Sequence, residues 1–326
     1  LGLAAHSPAE TTASVIEING ERWLRAYGSL AHPNILGGFL ALAFIAGLYL
    51  YFNYHTGRKK IWLAAAISII FIGLFFSFSR SAWLATFLAG LVLFIGYGFK
   101  KYFKAAINLL LYLGLILAVL LVIYNALALT RLELAQRLEI RSVERRIDSL
   151  LEAKEIIAGN WLLGVGLGNY TNYLITNSPP APGWSYQPVH NLYLLVMSEL
   201  GLLGLLIFLA LVIKSFLVSF KKLKQNPVYL SWLIVILTVG LFDHYFWTSY
   251  QGLILLMLIL LLVFSDDQAA DSGWNKAAKE YSCLIGDRGD FIRELLINPY
   301  LEKQLKTIGS GRILDLGCGE GYLSRI

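Results

Sequence analysis

Seven stretches of this chain, at about residues 34–53, 61–78, 82–99, 105–125, 191–217, 228–247 and 250–264, are apolar runs carrying almost no charge. A run of about 20 apolar residues crosses roughly 30 Å of hydrocarbon as a helix, and within lipid an open segment can satisfy its own backbone only in that form. The sequence therefore predicts an all-α polytopic membrane protein with about seven transmembrane helices. Composition agrees: of 326 residues, 57% are hydrophobic and 15% charged, and the charges crowd into the intervals between the runs.

Those intervals set an orientation. The connections NYHTGRKK (53–60), KKYFK (100–104) and KKLKQ (221–225) are rich in Lys and Arg, whereas FSRSA (78–82) and DHYFWTSYQ (243–251) hold one such residue and none. By the positive-inside rule the first three face the cytoplasm. Alternation then puts residues 1–33, the 78–82 hairpin, the long 126–189 loop and the 243–251 turn outside, with the tail from Ser265 inside. The net charge of +6 lies in membrane-flanking clusters rather than along an aromatic-studded face, so nucleic acid is excluded as a partner. Both cysteines, Cys283 and Cys318, follow the last run, and no disulfide framework is implied. The chain starts at Leu1 without Met and stops at Ile326 just after a glycine turn, so it reads as a fragment at both ends.

With that topology, the polar residues that are costly near a bilayer gather on the outer face: Arg25, His32, Arg80, Arg146, His190, Asp243 and His244. Arg80 lies in a hairpin too short to bury it easily; lipid phosphate is its bland partner, a site between helices the functional one. In SVERRIDSLLEAKEIIAG, helical spacing aligns Arg146 with Leu150, Ala153 and Ile157, so it is expected to point with a buried apolar stripe. Arg145 should face water with Ser149 and Glu152, and an ion pair with Glu139 or Glu144 is the competing reading of Arg146. His190, at the mouth of an apolar helix and followed by Asn191, can act as a proton acceptor or as a polar cap. Glu199, about nine residues further along, is expected to brace helices. LLGVGLGNY (162–170) has neither the strand nor the Lys of a phosphate loop and reads as a close-packing turn.

The succession of SRSAW, an Arg eighteen residues before GVGLGNY, then His190-Asn191 followed by Gly201 and Gly204, then DHYFWT, resembles the O-antigen ligase and polymerase superfamily of membrane glycosyltransferases. The resemblance spans about residues 20–264 and extends to HPN at 32–34; Trp161 departs from it where relatives commonly carry proline. It implies an enzyme of the bacterial inner membrane, multi-pass, with a periplasmic active face and a cytoplasmic tail. Its reaction would move a glycan from an undecaprenyl-diphosphate carrier to a glycan or lipid acceptor hydroxyl without metal or cofactor. Carried over by motif, Arg80 and Arg146 hold the diphosphate, His190 is the general base and Asp243 orients His190 or a sugar, with Arg25, His32 and Asn191 as substrate contacts. The implied division is a periplasmic segment (1–33), a transmembrane domain (34–264) with periplasmic loop 126–189, and a linker with a second domain (265–326).

That second domain ends in SGRILDLGCGEGYLSRI, which resembles the first motif of class I S-adenosylmethionine methyltransferases, an α/β Rossmann-like start. The resemblance implies cofactor contacts at Asp315, Gly317, Gly319 and Gly321. The acidic residue expected about 20 residues further on lies beyond Ile326, so S-adenosylmethionine would bind only in a complete domain. Two other readings compete: a transporter or flippase of lipid-linked glycans, which should show internal repeats and helices broken at mid-depth, and a membrane-anchored methyltransferase.

Overall fold

A computed structural model describes residues 13–18, 21–53, 57–132 and 137–265, and in the tail residues 280, 283, 294–295 and 298–308. The chain divides into two units, residues 1–263 and 264–326. In the first, a β-hairpin of β1 (Val15–Ile18) and β2 (Glu21–Leu24) precedes four helices: α1 (Pro33–Asn53), α2 (Arg58–Phe76), α3 (Arg80–Tyr97) and α4 (Phe99–Ile123). The loop that follows is itself mostly helical, with α5 (Asn125–Leu132), α6 (Arg137–Asn160) and α7 (Tyr170–Asn177). Then come α8 (Leu192–Lys221), α9 (Pro227–Gly240), the short α10 (Tyr245–Thr248) and α11 (Tyr250–Phe264). In the second unit the described residues include α12 (Asn298–Ile308); Asp315, Gly317, Gly319 and Gly321 lie outside the described residues.

An apolar helix stands at each of the seven expected places, but only five of them, α1 to α4 and α8, are long and apolar enough to cross a membrane. The sixth and seventh differ from expectation. α9 has 14 residues and α11 has 15, so each reaches only about 21–23 Å, short of a hydrocarbon core. The sixth run ends early because its last residues bend at Leu241–His244 to bring a buried carboxylate, Asp243, back toward α1.

The core lies where α1, α3 and α9 meet, with α2 packed against α1. Ile45, Ala82, Ala85, Ala89, Leu93, Val235 and Val239 are fully enclosed there, and the small residues of α3 allow its close approach. Outward-facing Phe87, Leu110, Leu111, Leu115, Val122 and Ile207 are left uncovered, as expected of surfaces whose solvent is lipid.

The chain alternates in direction, so the starts of α1, α3 and α8 gather at the same end as the last residues of α2 and α9. At that end the Arg25 side chain donates to the Ser77 carbonyl, Asn34 to Asp243 and Asn191 to the Leu241 carbonyl. The opposite end is tied by Tyr49 to Asn226 and Asn53 to Tyr97. All the candidate residues of the first unit therefore sit at one end of the helices.

α8 is not a straight span. Gly201 has φ 66° and ψ −168° inside it, a conformation essentially reserved for glycine. Tyr193 and Phe208, on either side of the break, have ring centroids 6.3 Å apart. Fifteen residues of straight helix would separate them by about 22 Å, so the two halves fold toward each other. Trp247 fills the crook: its ring lies 6.0 Å from that of Phe208, and its indole N–H donates to Glu199 at 3.0 Å.

The break frees backbone groups, and the 161–166 turn takes them up. Leu202 and Leu203 donate N–H to the carbonyls of Trp161 and Leu162, while Ser198 and Glu199 carbonyls accept from Val165 and Gly166 at 2.9 and 2.8 Å. This is the close-packing turn expected from LLGVGLGNY. A side chain on Gly164 would lie 2.6 Å from the Gly201 nitrogen, and one on Gly201 2.5 Å from the Leu163 nitrogen.

Candidate functional site at one end of the helices

The α2–α3 hairpin is built around Phe78, a fully buried residue at φ 47°, which is rare for a bulky side chain. Its strain is held by donors to three successive carbonyls. Ala26 N–H reaches Phe76, Arg25 Nε reaches Ser77 at 2.9 Å and Arg131 Nε reaches Phe78 at 3.0 Å. These carbonyls cap the C-terminal end of α2, where cationic donors are favoured. Arg25 and Arg131 are both buried, and the fixed hairpin carries Arg80 at the start of α3. The Arg80 guanidinium reaches the Arg131 carbonyl at 3.5 Å.

A polar chain runs from this hairpin to the segment that follows α9. Arg25 also donates to Ser14 and to the side-chain oxygen of Asn34, each at 2.8 Å. Asn34 in turn donates to Asp243 Oδ2 at 2.7 Å, and the other carboxylate oxygen accepts the His244 N–H at 2.8 Å. His244 Nδ1 pairs with the Thr248 hydroxyl at 2.8 Å. Its ring meets that of His190 edge-on, with centroids 5.3 Å apart.

The local sequence explains each placement. In HPN, the His32 ring nitrogen Nδ1 accepts the Asn34 N–H at 3.1 Å, Pro33 occupies the first helical position, and Asn34 is thereby aimed at Asp243. In HNL, the Asn191 side chain caps α8 by accepting the Leu194 N–H at 2.9 Å, while its amide donates to Leu241. Arg25, His32 and Asn191, expected as substrate contacts, thus each have structural hydrogen bonds to make.

His190 differs from them. Its Nδ1 is buried and makes no hydrogen bond, and a buried polar atom without a partner calls for a functional or hydration explanation. Asp243 faces it electrostatically, but both carboxylate oxygens are engaged elsewhere. Burial pulls the His190 imidazole down to about 4, with His244 and Arg146 adding to the effect and Asp243 opposing it. His32 is likewise held at about 4, by burial first and then by Arg25, His190 and His244, again against Asp243. His244 is lowered by burial against Asp243 and Glu199. Burial alone would raise Asp243, but the rings of His244 and His190, cationic in the acid range where the carboxyl titrates, together with the Asn34 amide and the His244 N–H, outweigh it and lower the carboxyl. Three neutral imidazoles around one carboxylate result.

Arg146 joins this group from α6, which packs against α8 through Ala153 and Ile156 in a cluster with Tyr170, Leu174, Val189 and Leu195. The face that carries it is not the expected one. Ser149, Ala153 and Ile156 form the buried stripe, whereas Val143, Ile147, Leu150 and Leu151 are exposed. Small Ser149 and Ala153 let the α6 backbone come close, and Tyr170 donates to the Ser149 carbonyl at 3.4 Å. Arg146 still borders the buried side and is half-buried, while Arg145 is exposed as expected and Ser149 is not.

The structure therefore brings His190, Asp243 and Arg146 together and sets Arg80 at the same end, on the hairpin clamped by Arg25 and Arg131. Sequence reasoning passed over Asn34 and Arg131. Asn34 was visible only as part of HPN, and Arg131 only as a cation where a long apolar run gives way to a polar loop. Among the described residues no three His, Cys, Asp or Glu side chains are arranged to hold a metal ion. No curated protein matches the chain. Residues 65–209, from within α2 to within α8 and including Arg80, Arg146 and His190, match the O-antigen ligase family model, and this suggests a membrane glycosyltransferase-type function.

Proposed function

We propose that the chain transfers a glycan from an undecaprenyl-diphosphate carrier to an acceptor hydroxyl at the periplasmic face of a bacterial inner membrane. The observation that carries this reading is the buried Nδ1 of His190, which makes no hydrogen bond, on an imidazole that lies beside His244, is kept neutral by burial and feels the charges of Asp243 and Arg146. A base held neutral at ordinary pH can take the acceptor proton as the acceptor oxygen bonds to the anomeric carbon. The glycosyl–phosphate bond breaks, and the carrier diphosphate leaves with added negative charge. Arg80 and Arg146 balance that charge as fixed cations, bidentate toward phosphate oxygens. Asp243, fixed by Asn34 and His244, then stabilises the imidazolium.

The match to O-antigen ligase and the gathering of these cations at one end of apolar helices support this over a transport role. A transporter of lipid-linked glycans should have a helix broken at mid-depth, and α8 is broken at Gly201. The backbone groups freed there are paired with the 161–166 turn rather than left to line a pathway. The test is reconstitution of a full-length protein in liposomes with undecaprenyl-diphosphate glycan. Arg80→Ala, Arg146→Ala and His190→Ala should each insert normally and lose transfer. Wild-type transfer by all three would refute the assignment.

A further inference from the structure

The exposed apolar stripe of α6 is unexplained by the site. At about 100° per residue, Ile140, Val143, Ile147, Leu150 and Leu151 cluster within about 100° of arc, and all five are exposed, Ile147 and Leu151 by 51% and 55%. The roughly opposite arc, Ser149, Ala153 and Ile156, is buried against the protein. A third arc holds Arg141, Glu144, Arg145, Asp148 and Glu155, all exposed and charged. A helix at the rim of a water-soluble domain needs two faces, one for protein and one for water. This helix has three.

We propose that the exposed apolar face lies in the lipid leaflet at the site end, making α6 an interfacial helix that rests on the bilayer beside the bundle. Continuity with a spanning helix identifies the occupant as lipid. α6 leads directly into Trp161, Leu162 and Leu163, exposed by 55%, 42% and 69%. Backbone hydrogen bonds tie this turn to Leu202 and Leu203, where the lipid-facing half of α8 begins with Leu203, Leu206 and Ile207 uncovered. The apolar surface thus passes from a membrane span onto α6 without a polar gap at that seam. Trp161 stands at the junction, the position where an indole anchors a segment at headgroup level. Lys154, exposed within the apolar arc, has a stem long enough to carry its ammonium to the phosphates.

The arrangement also fixes a height. Arg146 lies on the wheel between the buried arc and the apolar arc, at the seam of protein and lipid. A guanidinium there is level with the headgroups, where the phosphates of a lipid-linked donor travel. Lateral entry of the donor from the leaflet follows for the reaction proposed above, although the docking of α6 itself rests only on the membrane reading.

Spin labels test this in the full chain with Cys283→Ser and Cys318→Ser, in vesicles of phosphatidylethanolamine and phosphatidylglycerol. Labels are placed by Ile147→Cys, Leu151→Cys, Arg145→Cys and, as a membrane control, Ile207→Cys. Collision with oxygen should exceed collision with a water-soluble nickel chelate several-fold at 147, 151 and 207, and the order should reverse at 145. If 147 and 151 are as open to nickel as 145, the face is in water and the proposal is wrong. If both collision partners are excluded at 147 and 151, a second copy covers the face and the proposal is equally wrong. Neither result depends on transfer activity, so failure here is distinct from failure of the proposed reaction.

Discussion

Gly201→Ala is the most informative single change, because it attacks the joint on which α8, the 161–166 turn and Trp247 all depend. Two costs combine. A residue with a Cβ at φ 66° and ψ −168° is disfavoured by about 1–3 kcal/mol. The added carbon would also lie 2.5 Å from the Leu163 nitrogen and nearer still to the Leu162 carbonyl. Both obstacles are backbone, so the turn must withdraw. Withdrawal breaks the Leu202-to-Trp161 and Leu203-to-Leu162 hydrogen bonds, and each backbone group left unpaired where lipid rather than water surrounds it costs about 1–3 kcal/mol. The sum is a destabilisation of about 3–6 kcal/mol, discounted because part of the strain relaxes. Thermal unfolding of the purified protein in nanodiscs, with hydrogen exchange at residues 161–166, reads it directly. Gly159→Ala is the control: a Cβ there meets nothing within 4 Å on the last turn of α6, so it should be neutral or slightly stabilising. Gly164→Ala attacks the same seam from the other side, and its effect should not add to that of Gly201→Ala. A Gly201→Ala protein that melts within about 0.5 kcal/mol of wild type, with unchanged exchange in the turn, would refute the joint.

Four further outcomes are expected. His32 and His190 are held near 4 in the folded protein against 6.5, so the unfolded chain binds protons first as pH falls. Stability should therefore decline between about pH 6.5 and pH 4; His32→Asn, which keeps a capping oxygen but cannot titrate, should flatten that decline, and an unchanged slope would count against the assignment. For the same reason the acid limb of transfer should fall near pH 4 to 5 rather than near 6.5, as a pH–rate profile would reveal. Asn34→Leu removes the amide between Arg25 and Asp243 and leaves a buried carboxylate oxygen unpaired, so melting should fall by about 1–3 kcal/mol and transfer with it, while Asn34→Asp should be worse because it sets two carboxylates together. Arg131→Gln should release the Phe78 carbonyl and lower stability by about 1.5–3 kcal/mol, disturbing Arg80 although Arg131 is given no substrate contact; unaltered melting and transfer would show that the hairpin does not need it.

Much of this protein follows from its one-dimensional pattern. Unbroken apolar runs must become helices wherever no water can satisfy the backbone, so the number and places of the apolar helices were legible. The alternation of short connections also implied that the polar residues share one end. Glycine spacing marked LLGVGLGNY as a point of close approach, since only a residue without Cβ permits backbone to meet backbone. Other features depend on pairings between residues far apart in the chain. Asn34 and Asp243 are separated by 209 positions, and nothing local to either says that they meet. The length of α9, the folding of α8 about Gly201 and the clamping of Phe78 by Arg25 and Arg131 arise from such contacts. Helical periodicity in α6 found an apolar stripe but not what covers it, because amphipathicity records contrast between faces without naming the neighbour. Tertiary packing chose small Ser149 and Ala153 for the protein side, where backbones approach closely, and left the larger side chains outside.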